Sequence, residues 1–429
     1  HSAERAAAVA FAFGAPDAEA ELRPAWEKLL LAQHHDLQVC APWPSAAHRR
    51  SMSDVGRDLC HEALATAQHI LRRALSFLLA VGHPPISGGR PLIVFNPQPR
   101  PLRALVRVSA RGAVRAGERC LPAQVYGNES YVVCDLPALG WRVFELCPVA
   151  PDEDTDSVDG SYGQGQLVVT SRDGHLTVRC GDRELVRDGI ALSYRLGGAW
   201  FDSRTVPAAA EVVATGPLFT RWRVHSIVGA IRVAQELTLY RHLPRLDVDL
   251  ELDFGDGALA GPQPEDGEGY YARDEEKVCA VLQFGRGRLL RSLPFLTAET
   301  HLGRFATTGW VSVESGEGNL ALLTQGSRGC AYDPEKGLLR LVLAWSPRQW
   351  IYDGGGRSQL AGRCACRLAL LPYTARDEAM TEAEQYWLPP IALVGEPGAP
   401  AGGGEGSLLA VEPDAARLSA VFVHEGALY

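Results

Sequence analysis

No stretch of about 18 apolar residues occurs in the 429-residue chain, so no membrane-spanning helix is expected. Arginine is plentiful but never forms a basic run, which argues against a nucleic-acid partner. A C-x2-C pair, the spacing of a zinc ribbon, is missing. So are the Gly-x-Ser-x-Gly elbow of serine hydrolases and a phosphate-binding loop. No clearly positive segment precedes the apolar run from Ala6 to Phe13, so no secretory leader is read there. Ten cysteines are too sparse in a chain of this length for a disulfide scaffold. Several lie in strand-like runs, as Cys134 does after Tyr131-Val132-Val133. Most are therefore expected to be reduced, buried small hydrophobes, which implies a cytoplasmic location. Cys364 and Cys366 fall on one face of one strand, where a mutual disulfide would be unusual.

What is present is ordinary for a globular chain: 46% hydrophobic residues, 22% charged residues and a net charge of -9. The length suits roughly three domains and a large core without staples. The acids are spread out, and a slightly acidic surface suits solubility and small neutral substrates. Homo-oligomerisation is left open.

The first ~80 residues read as helical from their apolar spacing. Trp26, Leu29, Leu30 and Gln33 follow Pro24, which is taken as a helix start because a missing N–H costs little there. A second helix spans about Ser53 to Val81, capped by Ser53 or Asp54. Two helices close a bundle poorly, so they are expected to pack on the β region or on something absent. From Pro91 the pattern changes to strands. Leu92-Ile93-Val94-Phe95 is a buried run ended by Asn96-Pro97. Asp247, Asp249, Glu251 and Asp253 alternate with Val248, Leu250, Leu252 and Phe254, as in an antiparallel sheet with one wet face. Residues 151–166 read as a linker or loop, and Pro389 to Gly406 as a second linker. So many strands without intervening helices imply sheets packed face to face. The expected fold is α+β, mainly β: a helical segment at 1–85, a small β domain at 86–150 and a large antiparallel β-sandwich at 151–429.

One segment has clear chemical character: Leu29-Leu30-Leu31-Ala32-Gln33-His34-His35-Asp36, two imidazoles and a carboxylate ending an apolar helix. Such a pair can share a metal or a sugar hydroxyl. Adjacent helical residues point about 100° apart, so all three cannot reach one ion. Taken alone, the segment also reads as a polar helix end hydrogen-bonded to loops. His48, His61 and His69 read as surface or core residues. Glu265, Asp266 and Glu268 beside Tyr270 and Tyr271 read as a solvated acidic loop.

The Gln33-His34-His35-Asp36 stretch resembles the signature of glycoside hydrolase family 38, the α-mannosidases. Pro91-Leu92-Ile93-Val94-Phe95-Asn96-Pro97, Glu236-Leu237-Thr238-Leu239-Tyr240 and Gly309-Trp310-Val311-Ser312-Val313 are similar, in order, to later parts of the same family. The resemblance implies a galactose mutarotase-like supersandwich and a retaining, zinc-dependent glycosidase that hydrolyses terminal α-mannosides. It implies His35 as a zinc ligand and Asp36 as a binder of substrate hydroxyls, with zinc the cofactor and an α-mannoside carbohydrate the partner. Leu37-Gln38-Val39-Cys40-Ala41-Pro42 departs from the Gly-containing stretch that usually follows. The N-terminal catalytic barrel, with its His-x-Asp zinc pair, nucleophile and acid/base, has no counterpart here. The piece alone is therefore expected to be inactive and to hold little zinc. The rival reading is a non-catalytic carbohydrate-binding or structural β-sandwich module. A weaker rival is another sugar-active enzyme on the same sandwich.

Overall fold

The computed structural model describes residues 1–35, 37, 51–81, 89–149, 160–196, 198–258, 260, 276–294, 296–316, 318–326, 328–346, 360–396, 404–412 and 418–429. The chain forms two compact units, His1–Asp154 with Leu388–Tyr429, and Thr155–Trp387. The fold is mainly β, built of antiparallel sheets, with four helices among the described residues.

In the first unit, α1 (Ser2–Ala12), α2 (Glu19–Ala32) and α3 (Met52–Ala80) form a helical layer. The cap of α3 is Ser51, two residues before the expected Ser53 and three before Asp54. Its hydroxyl accepts from the Asp54 N–H at 3.1 Å and donates to the Asp54 carboxylate, which satisfies an end N–H from the side chain. Helices α2 and α3 run antiparallel, tied by Glu21–Arg73 at one end and Lys28–Glu62 towards the other.

Strand Arg90–Asn96 is the hub of this unit. It pairs with Gly140–Cys147 on one side and Ile391–Val394 on the other. Leu92 and Val94 face a core shared with Leu102, Val106, Val132 and Phe144, from the sheet that pairs Leu102–Val108 with Glu129–Leu136. Ile93 and Phe95 face the opposite core, with Ala6, Val9, Leu75 and Leu78 of α1 and α3. A strand buried on both faces carries no polar alternation, which is why this segment reads as an unbroken apolar run. The helices thus pack on the β region. At the strand's end the Asn96 amide donates to the Arg100 and Pro137 carbonyls at 2.8 Å each, and its Oδ1 accepts from the Gln98 N–H.

The division read from sequence places 388–429 in the large sandwich, whereas the structure returns this segment to the first unit. Part of the stretch read as a linker is strand Ile391–Val394, and Glu405–Ser407 adds to the other side of Gly140–Cys147. Ile391-Ala392-Leu393-Val394 is itself apolar but only four residues long, and Pro389, Pro390 and Gly395 around it hide it, while Glu405-Gly406-Ser407 carries no apolar side chain and is held by backbone pairing.

In the second unit a nine-stranded sheet, a six-stranded sheet and a four-stranded sheet supply one core. Trp222, Leu237 and Leu250 come from the first, Leu192, Ala280 and Leu341 from the second, and Leu167, Val169 and Val178 from the third. The exposure of Leu246–Asp253 alternates as its sequence does. The hairpin of Leu167–Arg172 with His175–Cys180 turns at Asp173 and Gly174, whose φ of 52° and 77° suit a tight two-residue turn.

Two departures stand out. Gly160–Gln164, within the expected loop, is an edge strand on Leu167–Arg172. No helix is expected in this half, yet α4 (Arg376–Trp387) packs Ala379, Ala383 and Tyr386 over Trp310, Leu323, Ala369 and Leu371 of the nine-stranded sheet. Only three apolar residues at helical spacing mark it, amid polar neighbours, which is too weak a periodicity to read. Its start is fixed by Glu378, whose carboxylate accepts from the Thr374 hydroxyl at 2.9 Å and the Ala375 N–H at 3.2 Å.

Candidate functional site

The candidate site lies at the end of α2. The helix begins at Glu19, whose N–H is received by the Asp17 carboxylate at 2.8 Å. Pro24 therefore sits inside the helix, beyond its start. Glu19 and Glu21 in the first turn complement the positive end of the helix dipole. Glu19 is bonded by three partners. Its carboxylate accepts the Glu425 N–H at 2.8 Å, meets His424 Nδ1 at 2.7 Å and pairs with Arg23 at 2.6 Å. Those contacts, the Glu425 N–H first, hold its carboxyl at about 2. They pin the C-terminal hairpin, Val423–His424 with Ala427–Leu428, to the start of α2.

At its other end α2 tightens. The Gln33 N–H donates to the Leu30 carbonyl and the His34 N–H to the Leu31 carbonyl, the shorter step that closes many helix ends. His34 and His35 follow in this turn, both exposed, with ring centroids 4.6 Å apart and planes at 29°. The next described residue, Leu37, is buried. It lies against Gly56 of α3, where an added Cβ would stand 3.3 Å from the Leu37 Cβ. The plug of Leu37 under α3 fixes the turn while the imidazoles stay outside. Leu30 and Leu31, 61% and 57% exposed, share this end of α2.

His35 is thus not packed inside the unit. Asp36 lies outside the described residues, as do His48 and the Glu265, Asp266, Glu268, Tyr270 and Tyr271 group. His61 and His69 are exposed on α3. Among the described residues no group of three or more His, Cys, Asp or Glu side chains could hold a metal. One exposed imidazole can donate one ligand and no more, whereas zinc requires three or four. The described residues therefore fit a contributor to a zinc site and not a complete one. Among them, no helix is long and apolar enough to cross a membrane.

The nine described cysteines are free, and Cys134, Cys180, Cys279, Cys330 and Cys366 are buried. Sequence reasoning passes over two further clusters. One is Glu19 with His424 and Arg23, joined across the whole length of the chain. The other is Arg245, whose guanidinium meets Asp247 at 2.6 Å and Glu382 at 3.3 Å between the rings of Tyr240 and Tyr386. The Tyr240 hydroxyl donates to the same Asp247 at 2.9 Å. Burial raises the Glu382 carboxyl above its ordinary range against the pull of Arg245. Only the Asp247 alternation hints at this cluster, because its other members come from a strand end and a helix that the sequence does not announce.

A helical layer on a pair of sheets, with a multi-sheet antiparallel sandwich, is an architecture shared with two solved structures. An α-mannosidase from Enterococcus faecalis V583 shares it over 99% of this chain at a TM-score of 0.69 and 10% identity. A protein of glycosyl hydrolase family 38 from Enterococcus faecalis shares it over 95% at a TM-score of 0.66 and 11% identity. The chain spans 58% of the length of each of these two structures. No family model and no curated protein matches it.

Proposed function

We propose that this chain is the middle and C-terminal part of a retaining, zinc-dependent α-mannosidase that hydrolyses terminal α-mannosides. The observation that carries the proposal is the likeness to the Enterococcus faecalis α-mannosidase over 99% of the chain. The exposed His35 at the end of α2 agrees with it.

In this reading His35 is one ligand of a zinc ion whose other ligands lie in a catalytic barrel outside this chain. Bound zinc would supply Lewis acidity and a template for sugar hydroxyls. His35 orients through the turn that Leu37 anchors beside Gly56. Asp36 binds substrate hydroxyls. The nucleophile and acid/base of a retaining mechanism belong to the barrel, so the chain alone is inactive and holds little zinc. A reduced, cytoplasm-like compartment suits the free thiols.

The test is hydrolysis of an aryl α-mannoside by the full-length parent, with and without a chelator, beside His35→Ala. Loss of activity with chelator, its return with zinc and loss in the variant are expected. Activity indifferent to both treatments would leave a non-catalytic carbohydrate-binding or structural module as the better reading.

A further inference from the structure

The six-stranded sheet of the second unit ends in strand Ala199–Asp202, which pairs with Ala191–Leu196. Side chains alternate across this hairpin. Tyr194 and Phe201, opposite each other, face the sandwich core and stack at 4.9 Å and 13°. Trp200 and Asp202 therefore turn outward, with Arg195 opposite Trp200. Trp200 is 53% exposed, the most exposed indole among the described residues.

The strand beneath this ring is held firmly. The Tyr194 hydroxyl donates to the Val228 carbonyl at 3.2 Å. Gly229 lies so close that a Cβ there would stand 2.2 Å from the Tyr194 hydroxyl oxygen and 2.7 Å from the Phe201 Cδ1. After Asp202 the short turn Ser203–Thr205 is tied down at both ends. The Ser203 hydroxyl accepts from the Leu192 N–H, and the Thr205 hydroxyl donates to the Asp202 carbonyl, each at 2.8 Å.

Two ion pairs flank the indole. Half-buried Arg195 pairs with the carboxylate of Glu276, which is itself buried. Exposed Arg204 takes Asp202 in a fork, its Nε donating to Oδ1 at 2.9 Å and its Nη2 to Oδ2. A guanidinium has five N–H donors, more than one carboxylate uses, so each arginine keeps donors to offer. A stationary aromatic face beside fixed donors and acceptors suits a pyranose ring. The C–H face of the sugar covers the indole, and its hydroxyls, each donor and acceptor, meet the polar edge. An indole also loses little conformational freedom when it is covered.

We propose that Trp200, with Arg195, Asp202 and Arg204 around it, is a surface binding site for neutral pyranose units of a glycan chain. Trp200 supplies the stacking face. Arg195 and Arg204 donate to hydroxyl oxygens, Asp202 accepts from a hydroxyl, and Glu276 positions Arg195. A neutral sugar fits because each of these two guanidinium groups is already balanced by a carboxylate. The site lies wholly within the second unit and does not rest on the zinc-glycosidase reading.

Affinity electrophoresis of the folded chain through gels containing α-mannan, galactomannan or mixed-linkage β-glucan tests it. At least one of these polysaccharides is expected to retard the chain relative to a non-binding reference protein. Trp200→Ala should raise the apparent Kd about tenfold or more, the scale of a central aromatic contact. Trp200→Phe should recover part of the loss, and His35→Ala should leave the retardation unchanged. In the wild type, the retarding polysaccharide should slow N-bromosuccinimide oxidation of Trp200, read by peptide mass spectrometry, and not that of Trp387, which is 40% exposed. Failure of all three polysaccharides to retard the chain, wild-type retardation of a folded Trp200→Ala, or an unprotected Trp200 overturns the proposal. Retardation lost in His35→Ala instead would put the sugar at the end of α2 and overturn it as well. Should Trp200→Ala fail to fold, the protection of Trp200 in the wild type decides.

Discussion

Gly406 lies against the indole of Trp141, its partner in the ladder, so closely that a Cβ there would stand 2.3 Å from Cη2, 2.6 Å from Cζ2 and 2.7 Å from Cζ3. The ring is itself held by Phe13, edge to face at 4.7 Å. The returning segment 404–412 is therefore seated on a rigid aromatic floor. Gly406→Ala is expected to destabilise the first unit by about 1–3 kcal/mol, the usual cost of overpacking. Denaturant midpoints would show it, and an unchanged midpoint would mean that the segment is held elsewhere.

Strand Arg90–Asn96 joins two cores. Leu92→Ala and Ile93→Ala, on opposite faces, should each cost about 2–5 kcal/mol, since both side chains are fully buried. Ile227→Ala, at a position 61% exposed, should stay within about 0.5 kcal/mol. A mild effect at either buried position would contradict the two-sided burial.

Arg245 is 11% exposed between two carboxylates. Arg245→Ala strands Asp247 and Glu382 and should cost about 3–5 kcal/mol. Arg363, 70% exposed in its pair with Glu251, should cost under about 1 kcal/mol when removed. Equal effects in urea titrations of the two variants would show that burial does not set the strength of this network.

Glu19 gives the C-terminal hairpin a pH dependence. Its folded carboxyl is lowered from 4.5 to about 2, so its contribution is fully present above about 4.5 and is lost as pH falls towards about 2. Glu19→Gln should be less stable than wild type at pH 6 and should converge with it near pH 2. A stability gap that stays constant across that range would assign the effect to packing.

His35→Ala in the full-length parent should lower kcat/KM by more than the roughly 10–100-fold that loss of a metal-orienting neighbour costs. Added zinc should restore it only in part. The same substitution should leave the unfolding midpoint within about 0.5 kcal/mol of wild type, because the ring is exposed. A large stability loss with unchanged zinc response would make His35 structural.

Apolar pattern alone reveals much of this protein. The doubly buried run Leu92–Phe95, the alternation of Leu246–Asp253, the Asp173-Gly174 hairpin and the long helix before Val81 are each written in local periodicity. In each, one segment meets its environment with a regular face. The His34-His35 pair is likewise visible as polar residues ending an apolar helix. The strands Ile391–Val394 and Gly160–Gln164 and helix α4 are not. Each is short, and each is stabilised by a neighbour distant in sequence.

Only the tertiary structure brings His424 to Glu19, Arg328 to Cys366 and Glu382 to Arg245. No spacing rule joins them, because charge and hydrogen-bond partners are chosen by proximity after the sheets close. Local apolar pattern sets which faces are buried, since hydrophobic burial is additive along a strand or helix. Chain return and long-range pairing decided where 388–429 belongs and which titratable groups meet, since these depend on contacts that exist only once the cores have formed.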